Sequence, residues 1–146
     1  MTALSGLLGG MLLAGCGEEP DTAGEYCDLV VDEQPALSGM IVPERGTSGL
    51  LGGLPVFERL EAAAPEAVDD DWTIIVGRLS SLADPLQEAG VDPATYDPID
   101  PPTGLSEDQR EAIEGGAGSV ASEALREALD RVDRHAHEVC GADLGL

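Results

Sequence analysis

The feature that most constrains the fold is an apolar stripe between residues 72 and 86. Its members recur at intervals of three and four residues: Trp72, Ile75, Val76, Leu79, Leu82 and Leu86. This spacing places apolar side chains on one face of an α-helix and does not match the two-residue alternation of a half-buried strand. Three aspartates, at positions 69–71, precede the stripe, and we expect their carboxylates to cap the amides at the helix start. Pro85 is expected to bend or end the last turn.

Similar spacing predicts helices on both sides of the stripe. The first begins at Ala23, and Pro35 is expected to kink or end it. The second follows a glycine-rich connection at residues 46–53 and closes at Pro65.

The second half of the chain shows a long connection and two more helices. Residues 91–104 contain four prolines and are predicted to form a surface connection. Ser106 and Gln109 form a capping-box pattern that starts a helix over residues 107–113, which we expect the glycines that follow to interrupt. The last helix is predicted over residues 119–139, with these side chains directed inward: Leu125, Ala128, Leu129, Val132, Ala136 and Val139.

No segment alternates polar and apolar residues over a convincing strand length. Residues 73–76 alone are β-branched enough to suggest a strand, and they lie inside the helical stripe. We therefore predict an all-α fold, a small bundle of four or five helices.

The sequence Leu13-Ala14-Gly15-Cys16 places a cysteine directly behind a short apolar run, residues 7–14. That run is too short to span a bilayer, which needs about 20 apolar residues, but it has the length of a signal-peptide core. The pattern resembles the lipobox of bacterial lipoproteins, in which the cysteine receives a diacylglyceryl group, with acyl chains such as palmitate, and becomes the first residue of the mature protein. The resemblance implies a signal peptide over residues 1–15, a lipidated tether over 16–22 and a helical extracytoplasmic domain over 23–146.

The alternative is a buried apolar segment that happens to precede a cysteine. No Lys or Arg precedes Cys16, whereas a secretory signal normally begins with positive charge. The small residues before Cys16 and the acidic sequence Gly17-Glu18-Glu19-Pro20 after it favour the lipobox. Since residues 17–22 reach only about 20 Å when extended, we expect the domain to lie close to the outer face of the cell membrane, held through the lipid on Cys16.

Cys27 and Cys140 remain once Cys16 is assigned to the lipid. In an oxidising compartment, two such cysteines in a small domain are usually paired, so we predict a disulfide between the first and last helices. Two free buried thiols are the alternative.

The chain is strongly acidic, with 29 Asp and Glu against 7 Arg and Lys and a formal net charge of −22. Charge of this sign repels nucleic acid and anionic lipid headgroups, which disfavours direct binding to either. We expect no nucleic-acid partner, and attachment to the membrane is expected through lipid alone.

Two clusters suggest metal sites, and we favour a simpler interpretation of each. His135 and His137 point about 200° apart on a helix, so they cannot chelate one ion, and a solvated helix end explains them. Asp92, Asp97 and Asp100 do not follow the EF-hand spacing and are interpreted as a solvated acidic loop. We expect no metal and no cofactor.

Hydrolytic chemistry is not indicated. Ser38, Ser48 and Ser119 lie near glycines, but none stands in a G-x-S-x-G turn, and both histidines sit at one helix end. We therefore expect no catalytic residue and no enzymatic activity.

The order of the motifs resembles a broad group of small actinobacterial lipoproteins of uncharacterised function. Cys16 is followed by Tyr26-Cys27, then by Phe57-Glu58-Arg59-Leu60, then by Asp71-Trp72, and finally by a helix ending in Cys140-Gly141. The resemblance implies a helical extracytoplasmic domain and supplies no activity.

Two functions remain open. The first is a structural or interaction accessory that presents its helices to an envelope protein, and the second is a small-ligand or cation-binding module. A large internal cavity lined by Phe57, Trp72 and Val132 would favour the second, whereas a filled core with an exposed apolar patch would favour the first.

Overall fold

The computed structural model describes residues 22–146, and the structural statements below concern that part of the chain. It contains five α-helices and no strand: α1 (Thr22–Met40), α2 (Gly46–Ala63), α3 (Asp69–Glu88), α4 (Glu107–Val120) and α5 (Glu123–His135). A 3-10 turn, Pro93–Thr95, lies in the connection between α3 and α4, and a π-helical turn, Ala136–Cys140, continues α5 directly. The predicted all-α bundle is confirmed.

Helix α3 lies at the centre of the bundle and contacts α2, α4 and α5. Five members of its apolar stripe are fully buried: Trp72, Ile75, Leu79, Leu82 and Leu86. The sixth, Val76, is partly buried. The stripe is therefore buried on several sides, because neighbouring helices cover it from different directions.

The aspartates at the start of α3 do not cap it as predicted. The residue at the N-cap position is Val68, and no side chain caps the helix. Asp71 is buried instead and binds Arg131 of α5, while Asp69 and Asp70 are exposed. The carboxylate of Asp71 is thus used to join two helices, which the local sequence does not reveal.

Prolines and glycines interrupt the helices less than their type suggests. Pro35 lies inside α1, which continues to Met40, and Pro85 lies inside α3, which continues to Glu88. The glycine-rich segment 46–53 belongs to α2, so the prediction of a connection there is wrong. Helix α2 does end before Pro65, with Ala64 in an extended conformation, as expected for the residue before a proline.

The predicted boundaries of the last two helices are also wrong. The capping box of Ser106 and Gln109 starts α4 as expected, but α4 passes through its glycines and ends at Val120. Helix α5 then begins after Ser122, whose hydroxyl accepts from the Leu125 amide. The π-helical turn widens the backbone, and Val139, expected inside, is 54% exposed.

None of the helices within residues 22–146 is both long and apolar enough to cross a membrane.

Candidate functional site

Cys16 and the predicted signal peptide and tether, up to residue 21, lie outside the described residues. The described chain begins at Thr22, at the N-terminus of α1. The prediction that Cys16 carries the lipid therefore stays a prediction.

Cys27 and Cys140 form a disulfide, with an S–S distance of 2.02 Å and Cα atoms 5.0 Å apart. The bond joins the first turns of α1 to the end of the π-helical turn that follows α5, so the predicted link between the first and last helices is confirmed. The alternative of two free thiols is wrong for this structure.

The segment after Cys140 is bound along α1 and α5. Gly141 adopts the left-handed conformation that ends the helical turn, and Gln34 of α1 donates to the carbonyl of Asp143 at 2.8 Å. The carboxylate of Asp133 accepts from the amides of Leu144 and Gly145, at 2.9 and 3.1 Å. Since Leu144 is fully buried, this segment is part of the core, although the sequence pattern gave no indication of it.

A buried polar contact involves Tyr26, the residue that precedes Cys27 in the sequence. The indole N–H of Trp72 donates to the hydroxyl of Tyr26 at 2.9 Å, and both side chains are fully buried. The ring of His135 lies 6.0 Å from that of Tyr26 between centroids. Burial raises the pKa of Tyr26 above its ordinary value, against the opposing effect of the hydrogen bond from Trp72.

The two histidines have different surroundings, contrary to the prediction of a single solvated helix end. His137 is exposed, and its Nδ1 lies 2.7 Å from a carboxylate oxygen of Asp143. His135 is half-buried, and its Nε2 is buried with no hydrogen-bond partner. Among residues 22–146, no group of three or more His, Cys, Asp and Glu side chains is arranged to hold a metal ion.

The aspartates of the proline-rich connection have local roles. Asp92 accepts from the amide of Ala94 and starts the 3-10 turn, and Asp97 accepts from the amide of Ile99 at 2.8 Å. These bonds order the connection, whereas the sequence pattern predicts only a solvated acidic loop. Its Tyr96 is buried, and its Ile99 is 91% exposed.

The core residues proposed as cavity lining are packed together instead. Phe57, Trp72 and Val132 are fully buried members of one contiguous cluster, and the rings of Phe57 and Trp72 are 5.8 Å apart between centroids. The structure thus places side chains where the small-ligand hypothesis would place an internal cavity.

A cleft of about 330 Å³ lies between the proline-rich connection and α4. Most of its walls are apolar, with two charged residues, Arg110 and Glu114, among the lining. The apolar lining residues are Tyr96, Pro98, Pro101, Pro102, Leu105, Ile113 and Ala117. The sequence pattern does not identify these walls, because they come from residues up to 21 positions apart.

Comparison of the chain with protein-family models, with curated proteins and with solved structures gave no significant match.

Proposed function

We propose that this chain is a membrane-anchored extracytoplasmic lipoprotein, held by a lipid on Cys16, which acts as an interaction accessory of the cell envelope. The observation that carries the proposal is the pairing of Cys27 with Cys140. It leaves Cys16, the cysteine in the lipobox-like sequence, as the one available for another modification.

The disulfide supports an extracytoplasmic location. Disulfides persist in oxidising compartments and are rare in the cytosol of most organisms, where thiols are kept reduced. A small domain with one Trp, one Phe and two Tyr also gains from a covalent link between its ends.

The start of α1 limits how far one end of the domain lies from the lipid. Its first residue, Thr22, is six positions after Cys16, so the end of the bundle that carries the disulfide would lie within about 20 Å of the lipid. Helix α1 is 19 residues long and spans about 28 Å. We propose that its other end, with the connection between α1 and α2, is directed away from the membrane.

The proline-rich connection lies at that distant end. Pro98 and Ile99 line the same surface cleft as Pro43 and Glu44 of the α1–α2 connection. The exposed side chain of Ile99 is there available to an envelope partner, with Asp97 and Asp100 beside it in the sequence. A partner with a basic surface around an apolar contact would complement this end of the domain.

The experiment is expression of the full chain in a bacterium that processes lipoproteins, followed by membrane fractionation and intact mass. We expect the wild type in the membrane fraction, beginning at Cys16 and carrying a diacylglyceryl mass. Cys16→Ser should lose that mass and leave the membrane fraction. The control, Cys27→Ser with Cys140→Ser, should keep the lipid. Membrane retention of Cys16→Ser at the wild-type yield, with no lipid on the parent Cys16, would refute the proposal.

A second candidate is a small-ligand or cation-binding envelope module. The specific observation in its favour is the cleft between the proline-rich connection and α4, whose volume lies within the range of small-molecule sites. This function does not require the anchor, so the two proposals can be tested separately. We propose no enzymatic activity.

A further inference from the structure

We propose that the cleft between the proline-rich connection and α4 binds an organic cation, an amine or quaternary ammonium with an apolar body about the size of one aromatic ring. This inference rests on the second candidate function and names its ligand class.

The shape of the cleft is set by rigid residues. Three of its lining residues are Pro98, Pro101 and Pro102, whose backbone φ angles are fixed by the residue type. Tyr96 and Ile113 contribute to the lining and are 6% and 4% exposed. Little conformational entropy is then lost when a ligand enters, because these side chains are already ordered.

The apolar walls select the body of the ligand. Prolines, Leu105, Ile113 and Ala117 offer few hydrogen-bonding groups, so a strongly polar molecule would lose more to desolvation than it gains. An aromatic ring in the lining, that of Tyr96, adds an attraction for a cationic group.

The charges around the cleft select the sign of the ligand. Glu114 lies in the lining, and Asp97 adjoins Tyr96 in the sequence. Burial raises the pKa of Tyr96, and the carboxylates of Asp97 and Glu114 raise it further, which means that a negative potential acts at the phenol. The net charge of −22 adds to local attraction for cations.

Arg110 is the one feature of the lining that would attract an anion. Its Nη2 lies 3.5 Å from the carbonyl oxygen of Leu105, toward the start of its own helix. Glu114 offsets this charge within the lining, and Asp97 adds a second carboxylate that acts on the Tyr96 phenol, so carboxylates outnumber the guanidinium around Tyr96. The proposal therefore predicts that a cation binds better than an anion of the same shape.

The experiment is a residue-resolved NMR titration of the purified full chain with three probes of matched shape. They are 2-phenylethylammonium, neutral 2-phenylethanol and anionic 3-phenylpropionate. We expect saturable shifts with the ammonium at the amides of Tyr96, Leu105 and Ala117. Its affinity should exceed that of the alcohol by about twofold to fivefold, the range for an exposed ion pair.

Glu114→Gln is the test variant, and Glu111→Gln is the matched control. Both residues are exposed on α4, both substitutions remove one charge, and Glu111 is not part of the lining. Glu114→Gln should reduce the affinity for the ammonium to that for the alcohol, and Glu111→Gln should leave both affinities unchanged. Circular dichroism melting of each variant checks that the fold is retained.

Four results would overturn the proposal. These are tighter binding of the propionate than of the ammonium, equal binding of alcohol and ammonium, an equal loss in Glu111→Gln, and no saturable ammonium binding up to about 10 mM. Binding of the alcohol or the propionate at the cleft at least as tightly as the ammonium would retain a binding module while removing the preference for a cation. Absence of binding by all three probes would remove the module as well, and neither result bears on the lipid anchor, which is judged from the mass on Cys16.

Discussion

The indole N–H of Trp72 and the hydroxyl of Tyr26 form a buried hydrogen bond of 2.9 Å between residues 46 positions apart. The bond joins the start of α1 to the start of α3. An indole can only donate, so it requires an acceptor once it is removed from water, and the Tyr26 oxygen is that acceptor. Two of the largest side chains in the domain are thus held together by a hydrogen bond as well as by packing.

Tyr26→Phe should destabilise the domain by about 1–3 kcal/mol, because it leaves the Trp72 donor buried and unpaired. The free energy of unfolding in urea, followed by the fluorescence of the single Trp, measures the effect. Tyr96→Phe is the control, since no hydrogen bond of its hydroxyl is seen within residues 22–146, and it should cost less than about 0.5 kcal/mol. Equal losses in the two variants would contradict the role assigned to the buried bond.

Stability should also fall at alkaline pH. Burial raises the pKa of Tyr26 above 10.0, although the hydrogen bond from Trp72 opposes this. The folded state therefore keeps the proton at a pH where the unfolded chain loses it. The contribution to stability is complete below pH 10.0 and is lost as the pH rises through the folded pKa. Tyr26→Phe should flatten the decline seen in urea unfolding, and an unchanged slope would show that Tyr26 is not its source.

The disulfide should be a large contributor to stability. It closes a loop with a sequence separation of 113 residues, which on the chain-entropy model is worth up to about 5 kcal/mol. Replacing both Cys27 and Cys140 by Ala should lower the free energy of unfolding by a comparable amount. A reducing agent should destabilise the wild type to a similar extent and leave the double variant unaffected. If reduction left the wild-type unfolding curve unchanged, the bond would have no stabilising role.

The sequence alone predicted the elements whose signal is local. The stripe of α3 was recognised because its members lie within 15 residues, and the capping box of α4 because Ser106 and Gln109 are three positions apart. The prediction of the disulfide rests on the inferred oxidising compartment and on the number of cysteines. The spacing of Cys27 and Cys140 in the sequence does not show that they are close in space.

What the sequence did not reveal depends on contacts between distant segments. The local sequence predicts a cap at Asp71, because its partner, Arg131, is 60 residues away. Helix propensity, which is local, predicts that the glycines of α4 interrupt the helix, whereas the residues that require a glycine at position 116 belong to α3. The walls of the proline-rich cleft likewise meet only after the connection packs against α4.

Asp71 and Arg131 provide a further test. The Nε and Nη2 atoms of Arg131 each lie 2.7 Å from the same oxygen of Asp71, and Asp71 is 9% exposed. Asp71→Asn should lower the melting temperature by roughly 3–5 °C, whereas Asp70→Asn, which removes the same charge at an exposed position, should change it little.

The loss of stability in Asp71→Asn should be the same across the neutral pH range, because Arg131 does not lose its proton there. The hydrogen bond that Arg131 donates to the Asp71 carboxylate raises the pKa of Arg131 above its already high ordinary value. Its contribution to stability is therefore complete at neutral pH and is lost only at far more alkaline pH, so the difference between variant and wild type should stay constant from about pH 6 to about pH 9. An equal fall in melting temperature in Asp70→Asn would mean that charge at the helix end, and not the pair of Asp71 and Arg131, is responsible.

The close crossing of α3 and α4 depends on Gly116. A Cβ atom at this position would lie 2.7 Å from the Cα of Leu82 and would collide with the carbonyl oxygen of Ser81. Both are backbone atoms, so the two helices would have to move apart. Gly118 is a matched position on the same helix, because a Cβ there would meet nothing within 4 Å.

Gly116→Ala should therefore destabilise the domain by about 1–3 kcal/mol, since overpacking outweighs the gain in helix propensity. Gly118→Ala should instead stabilise it by about 0.5–1 kcal/mol, the usual advantage of Ala over Gly in a helix. Urea unfolding of the two variants under identical conditions measures the difference in sign. Stabilisation by both substitutions would mean that α4 does not approach α3 closely enough to require a glycine, and the packing described for the centre of the bundle would have to be revised.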